Sequence, residues 1–260
     1  MSVPGAFRVG MHRLNIARII DAASDVMLPY MDLSRTGQKM HVHEAVERRH
    51  SVRAFRSDLV DAALLREILE LAARAPSGGN LQPWLVYALT GAPLAEFKAT
   101  IRAKFQVGTF EIPEYAVYPR QLWEPLRARR SKAAAQRYKA FGVELAEEAQ
   151  TLLQLRNYEF FGAPVGLFFC FDRRIGPPQW ADVGMYMQTL MLLALERGLG
   201  TCPQEIWANW PKTIASFLQL PDTHMVFAGM SLGYEDTTAA INGFRTEREP
   251  PETFVRMLGF

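Results

Sequence analysis

Residues Val165–Phe171 form an unbroken run without a single polar side chain. A run this short suits a strand. It lacks the alternation that marks one wet face and one dry face, so both faces need cover. It therefore sets the centre of a sheet with helices packed on each side. Two further segments read as strands: Trp84–Leu89, bounded by Pro83 and Gly91, and Met225–Gly233. Ala181–Arg197 is a strongly apolar helix with Gly198 placed to end it.

Helical periodicity comes early in the chain. Val42, Ala45, Val46 and Arg49 share a helical spacing. Asp61 can cap a helix whose inner face is Leu64, Leu65, Ile68, Leu71, Ala72 and Ala75, stopped by Pro76. Pro93–Gln106 is a further helix, and Leu126–Phe160 reads as a long polar helical stretch. Helices first, then strands separated by helices, predict an α+β fold with a mixed central sheet flanked by helices.

Residues 41–260 are expected to form a single domain. Residues 1–40 stand apart: weak periodicity at Leu14, Ile16, Ile19 and Ile20 is followed by Pro29 and a polar stretch. They suit either an arm packed on a partner subunit or a loosely ordered leader. A composition of 49% hydrophobic and 22% charged residues excludes a disordered chain. The net charge of +2 gives no reason to expect a nucleic-acid partner. Two cysteines, Cys170 and Cys202, exclude a disulfide scaffold and a four-cysteine zinc site. No apolar window is long enough for a bilayer span. The stretch around Ile16–Leu28 carries Arg18, Asp21 and Asp25, unlike a secretory signal. A cytoplasmic protein without a membrane partner is expected.

Three segments carry candidate chemistry. In Arg48-Arg49-His50-Ser51-Val52-Arg53, cationic forks and a hydroxyl crowd the end of a helix, a set that either binds phosphate or only complements the helix dipole. In Ala75-Pro76-Ser77-Gly78-Gly79-Asn80-Leu81-Gln82-Pro83-Trp84, two glycines let backbone N–H groups approach a ligand, and Asn80 and Gln82 can meet a heteroaromatic edge. Gly198-Leu199-Gly200-Thr201-Cys202-Pro203-Gln204 reads as a helix cap and an edge strand. No dinucleotide fingerprint or phosphate-binding P-loop occurs. His41 and His43 lack further ligands nearby, so no metal is expected.

Taken in order with Gly229-Met230-Ser231-Leu232-Gly233-Tyr234 and Arg245 to Arg248, these segments resemble the nitroreductase family of flavin enzymes, most of all its bacterial nitrobenzoate-type members. The resemblance implies an intertwined homodimer that binds FMN and uses NADH or NADPH to reduce nitroaromatic compounds. It implies hydride transfer through flavin N5 with ping-pong kinetics. It also implies that Arg49, Ser51 and Arg53 hold the ribityl phosphate, with His50 beside them and Arg248 joining from the tail. Pro76, Ser77 and Asn80 would approach from the other subunit, and Pro203 and Gln204 would lie over the isoalloxazine. Many members carry a basic residue where this chain has Thr246; Arg245 is the local substitute. Reductive dehalogenation and quinone or enone reduction are alternatives on the same fold.

Residues 107–160 match no family motif and are expected to form a lid or substrate-contacting insertion. Tyr115, Tyr118 and Trp123 can line an aromatic wall, and Arg127, Arg129 and Arg130 can pair with an acceptor's carboxylate. The basic run Arg127–Lys139 as a whole suits a solvated helix face better than a nucleic-acid contact, since Glu144, Glu147 and Glu148 follow it. Cys202 is read as packing.

Overall fold

The computed structural model describes residues 40–143 and 147–260, and the expectation for residues 1–40 lies almost wholly outside that range. The elements run α1 (Val42–Arg48), α2 (Ala62–Ala72), β1 (Leu85–Thr90), α3 (Gly91–Gln106), α4 (Leu126–Ala140), α5 (Glu147–Tyr158), β2 (Val165–Asp172), α6 (Pro177–Glu196), β3 (Gly200–Gln204), α7 (Pro211–Leu218) and β4 (His224–Gly233). Among the described residues, short 3-10 turns at Gly78–Asn80, Phe160–Gly162 and Glu205–Asn209 lie between these elements, and Ala240–Gly243 and Pro251–Thr253 follow β4.

The sheet order is β1-β2-β4-β3 and every neighbouring pair is antiparallel. The α+β fold is as expected, but the four-stranded sheet is antiparallel rather than mixed, although α6 joins β2 to β3. β4 runs against both and inserts between them, so they never pair directly. The one parallel bridge among the described residues joins Ser51 to Thr201 on the β3 edge.

β2 behaves as its composition requires. Val165, Leu167, Phe169 and Phe171 pack into a core with Ile68 and Ala72 of α2 and Val183, Tyr186 and Leu190 of α6. Phe168 and Cys170 point the other way, into a second core with Phe97, Trp207, Trp210 and Ile214. Alternate residues of one strand thus serve two helix layers. Gly166 is a glycine for lack of space, since a Cβ there would lie 2.8 Å from the Phe160 ring.

The expected caps hold. Asp61 Oδ1 accepts from the Leu64 N–H at 2.9 Å, and Gly198 takes a φ of +74° beyond α6. α6 starts earlier than Ala181 because Gly176 and Pro177 begin it, Pro177 needing no N–H donor in the first turn. The long helix expected over Leu126–Phe160 is two helices. Gly142 at a φ of +71° ends α4's run, and Tyr138 then packs back on Ala149 and Leu153 of α5. Residues Met40–Phe260 form one compact unit.

Candidate active site

The segment leaving α1 is stitched to the edge strand. Val52 N–H donates to Thr201 O at 2.9 Å, and Val52 is 1% exposed against Gly200, where a Cβ would clash with its side chain at 2.7 Å. In an extended chain, neighbours point to opposite sides, so burying Val52 turns Ser51 and Arg53 away from it. The tail is clamped to the same segment by Asn242, which is buried. Its Oδ1 accepts from Arg53 N–H at 2.8 Å, and its Nδ2 donates to Ala54 O at 2.7 Å and Asp236 O at 2.9 Å. Asn242 carries no motif signal. Only the fold shows that it joins residues nearly two hundred positions apart.

This clamp delivers the tail's cations to the first segment. Arg49, His50, Ser51, Arg53, Arg245 and Arg248 line one cavity of about 410 Å³. Arg49 makes no ion pair among the described residues. Burial lowers its pKa, and the neighbouring charge of Arg248 lowers it further. Among the described residues the Arg53 guanidinium donates only to Ser51 O, at 3.1 Å. Thr246 Oγ1 accepts from Arg248 Nη1 at 2.8 Å and so helps orient that arginine. Arg245 donates to Asn242 O at 2.6 Å and lines the cavity. His50 has both ring nitrogens engaged, with Arg48 O and Glu235 Oε1, each at 3.1 Å.

Arg53 also lines a second cavity of about 780 Å³, floored by Cys202, Pro203 and Gln204 of β3 and walled by Tyr115, Tyr118 and Arg137 of the 107–160 region. The Gln204 side chain turns into the core. Its Nε2 donates to Asn157 O and Oδ1 at 2.6 Å, and its Oε1 accepts from Ser231 Oγ at 2.9 Å and Trp207 Nε1 at 3.3 Å. Only the Gln204 backbone is left to face a ligand. The Cys202 thiol is buried, and lost hydration raises its pKa against the opposing pull of Arg53, Ser51, Arg137 and Arg49. Tyr115 donates to Phe227 O and packs edge-on to Trp180. Glu205 also borders the cavity, where lost hydration raises its carboxyl pKa.

Several predicted residues lie elsewhere. Pro76, Ser77 and Asn80 line neither cavity. Their loop is tied to α6, with Gly78 N–H donating to Asp182 Oδ2 at 3.1 Å and Ser77 Oγ accepting from Gln82 N–H at 3.0 Å. Trp123 is 60% exposed and outside the larger cavity's lining. Arg127 also falls outside, because it sits on the first turn of α4 and pairs with Glu124 at 2.7 Å. Arg129 and Lys132 pair with Glu249 and Glu247 of the tail at 2.9 and 2.5 Å, so this part of the basic run holds the tail as well as facing water. Arg130 stacks over Tyr118 with 4.5 Å to the ring centroid. The residue of the run that does reach the cavity is Arg137, one heptad after Arg130 on the same helix face. That spacing was the available signal.

Residues 46–234 match the model of the nitroreductase family. The chain belongs to the nitroreductase family. It is 36% identical over 216 residues to a 4-nitrobenzoate reductase of Pseudomonas putida, covering 83% of this chain and 94% of the relative. It is equally 36% identical over 220 residues to a chloronitrobenzene nitroreductase of Comamonas testosteroni, covering 82% of this chain and 96% of that one. The crystal structure of an FMN and NADPH-dependent nitroreductase NfnB from sphigopyxis sp. strain HMH superposes with a TM-score of 0.82 at 41% identity, covering 85% of this chain and all of that one. The family match ends before Arg245 and Arg248, and the fold brings these tail residues to the cationic cavity.

Proposed function

We propose that this protein is an FMN-dependent NAD(P)H oxidoreductase that reduces nitroaromatic compounds and works as a homodimer. The observation that carries the reading is the pair of cavities sharing Arg53: a cationic one with no acid paired to Arg49, and a larger one bordered by β3 and aromatic side chains. A phosphate carries close to two negative charges at neutral pH and takes charge-assisted hydrogen bonds from arginine forks. Arg49, Arg53, Arg245 and Arg248 with the Ser51 hydroxyl fit that need. The larger cavity lies in the size range of cofactor and substrate pockets.

FMN, when bound, would supply the redox chemistry, carrying a hydride equivalent from NADH or NADPH to the acceptor through its N5 position with ping-pong kinetics. This chain's residues bind and orient. The arginines of the smaller cavity would hold the phosphate end. Arg53, shared by both cavities, would place positive charge beside the ring system. The backbone of Pro203 and Gln204 would border the ring, its position fixed by the buried Gln204 network. Tyr115 and Tyr118 would form the aromatic wall that receives a flat acceptor and displaces water. Residues 107–160 therefore supply the wall of the acceptor site.

The loop with Pro76, Ser77 and Asn80 lines neither cavity of its own chain, which supports its donation to the site of a second copy. An exposed apolar tail with Phe254, Met257, Leu258 and Phe260 offers surface for the same assembly. The test is direct. The purified protein should carry yellow, FMN-type absorbance, lose it on adding NAD(P)H, and recover it only with a nitro compound. It should sediment as a dimer. Halophenols and quinones assayed beside nitroarenes separate this activity from dehalogenation and quinone reduction. A colourless protein that takes up no FMN overturns the reading.

A further inference from the structure

Arg137 is a cation without an anion. It lines the 780 Å³ cavity and an adjoining one of about 300 Å³, and among the described residues its guanidinium makes no hydrogen bond or ion pair. Its electrostatic neighbours are a second cation, Arg53, and three neutral groups that ionise only at high pH, the hydroxyls of Tyr138 and Tyr118 and the thiol of Cys202. The carboxylates bordering the cavity do not neutralise it. Glu114 accepts from Arg173 at 3.2 Å, and Glu205 acts on Tyr115 instead. Burial lowers the pKa of Arg137, with Arg53 adding to the effect, so the guanidinium stands where an anion would relieve it. Helix geometry explains why this arginine alone faces inward. Arg129 and Lys132 are drawn to the tail and Arg130 lies over the Tyr118 ring, while Ala134 packs toward α5 and Arg137 lines the cavity.

We propose that Arg137 receives the carboxylate of a nitroaromatic acid and so sets this enzyme's preference for anionic over neutral acceptors. The inference rests on the proposed nitroreductase activity and deepens it. Two relatives at the same identity are named for acceptors that differ in this respect, a nitrobenzoate and a chloronitrobenzene, so overall similarity does not decide between them. A flat acid against the Tyr118 wall would bring its carboxylate to the one guanidinium of the wall that has no partner. A guanidinium matches a carboxylate with two parallel hydrogen bonds, which an ammonium cannot reproduce.

The experiment uses Arg137→Leu and Arg137→Lys in the FMN-loaded enzyme. Benzoate, a carboxylate that cannot be reduced, is titrated calorimetrically into the oxidised protein. Its dissociation constant should rise about 10- to 100-fold in Arg137→Leu and by less in Arg137→Lys. The ratio of kcat/KM for 4-nitrobenzoate to that for nitrobenzene should fall by a similar factor. Unchanged benzoate affinity, or equal losses on both nitro compounds, overturns the proposal. Loss of FMN makes Arg137 a cofactor ligand, and a rise in KM for NADPH but not NADH makes it a phosphate receptor; either result also overturns it. If Arg137→Leu does not fold, Arg137→Lys decides alone, because it keeps the charge and loses the fork. Wild-type protein that binds benzoate as expected but reduces no nitro compound would refute the activity and leave the carboxylate receptor standing.

Discussion

Replacing Arg49 by glutamine separates a ligand-binding arginine from a structural one. In the ligand-free chain Arg49 is a partly buried charge with no acid partner, disfavoured by lost hydration and by Arg248. Glutamine keeps most of the side-chain length and removes the charge, so the stability of the apoprotein should hold or rise slightly. FMN binding should suffer. A charged hydrogen bond to phosphate contributes about 1.5–3 kcal/mol, which weakens affinity roughly 10- to 160-fold. The two effects meet in a thermal scan. At an FMN concentration about 100 times the wild-type Kd, bound cofactor stabilises the wild type by about 2.7 kcal/mol. With affinity about 100-fold weaker, the same concentration gives the variant only about 0.4 kcal/mol. The difference of about 2.3 kcal/mol corresponds to a Tm gap of about 5–9 °C for a chain of this size, present with FMN and absent without it. Fluorescence titration of the apoprotein with FMN gives Kd independently. A variant with lower apoprotein Tm and unchanged FMN affinity would refute the phosphate assignment.

Other parts of the site give separate predictions. Gln204→Leu strips the partners from the buried Ser231 hydroxyl and the Trp207 indole N–H, and should cost about 2–5 kcal/mol in urea unfolding. Unchanged stability with weakened FMN binding would instead turn that side chain toward the cofactor. Burial pushes the Cys170 thiol up to about 12 and raises Cys202 as well. Iodoacetamide at about pH 8 should therefore label neither in the native protein and both after denaturation; fast native labelling of Cys202 would show an open, reactive thiol. Arg174 hydrogen bonds to Asp172 hold its carboxyl well below the usual range. A depressed folded pKa gives stability that is present above the unfolded value near about 3.9 and lost as pH falls through the folded one. Asp172→Asn should thus be less stable than wild type at neutral pH, the gap narrowing steadily as pH falls below about 5 toward the folded pKa. A gap independent of pH would assign the effect to geometry.

Much of the protein was legible in its residue order. The apolar run Val165–Phe171 required a strand covered on both sides, and it received two helix layers. Asp61 and Gly198 marked helix ends through local hydrogen bonding and backbone freedom, which depend on near neighbours alone. The motif from Arg49 to Arg53 and the tail arginines were recognisable as one chemical set before any contact between them was known.

The tertiary structure decided what local pattern cannot carry. β4 enters between β2 and β3 because strand order depends on long-range pairing, so the mixed sheet resolved into antiparallel neighbours. The buried Asn242 joins two ends of the chain through hydrogen bonds that no spacing rule anticipates. In the basic run of α4, periodicity put several cations on one helix, but only packing against the tail and α5 chose which one faces the cavity. Residue types set which chemistry the chain can do. Distances across the fold, fixed by burial and pairing between remote segments, set which of those residues are in a position to do it.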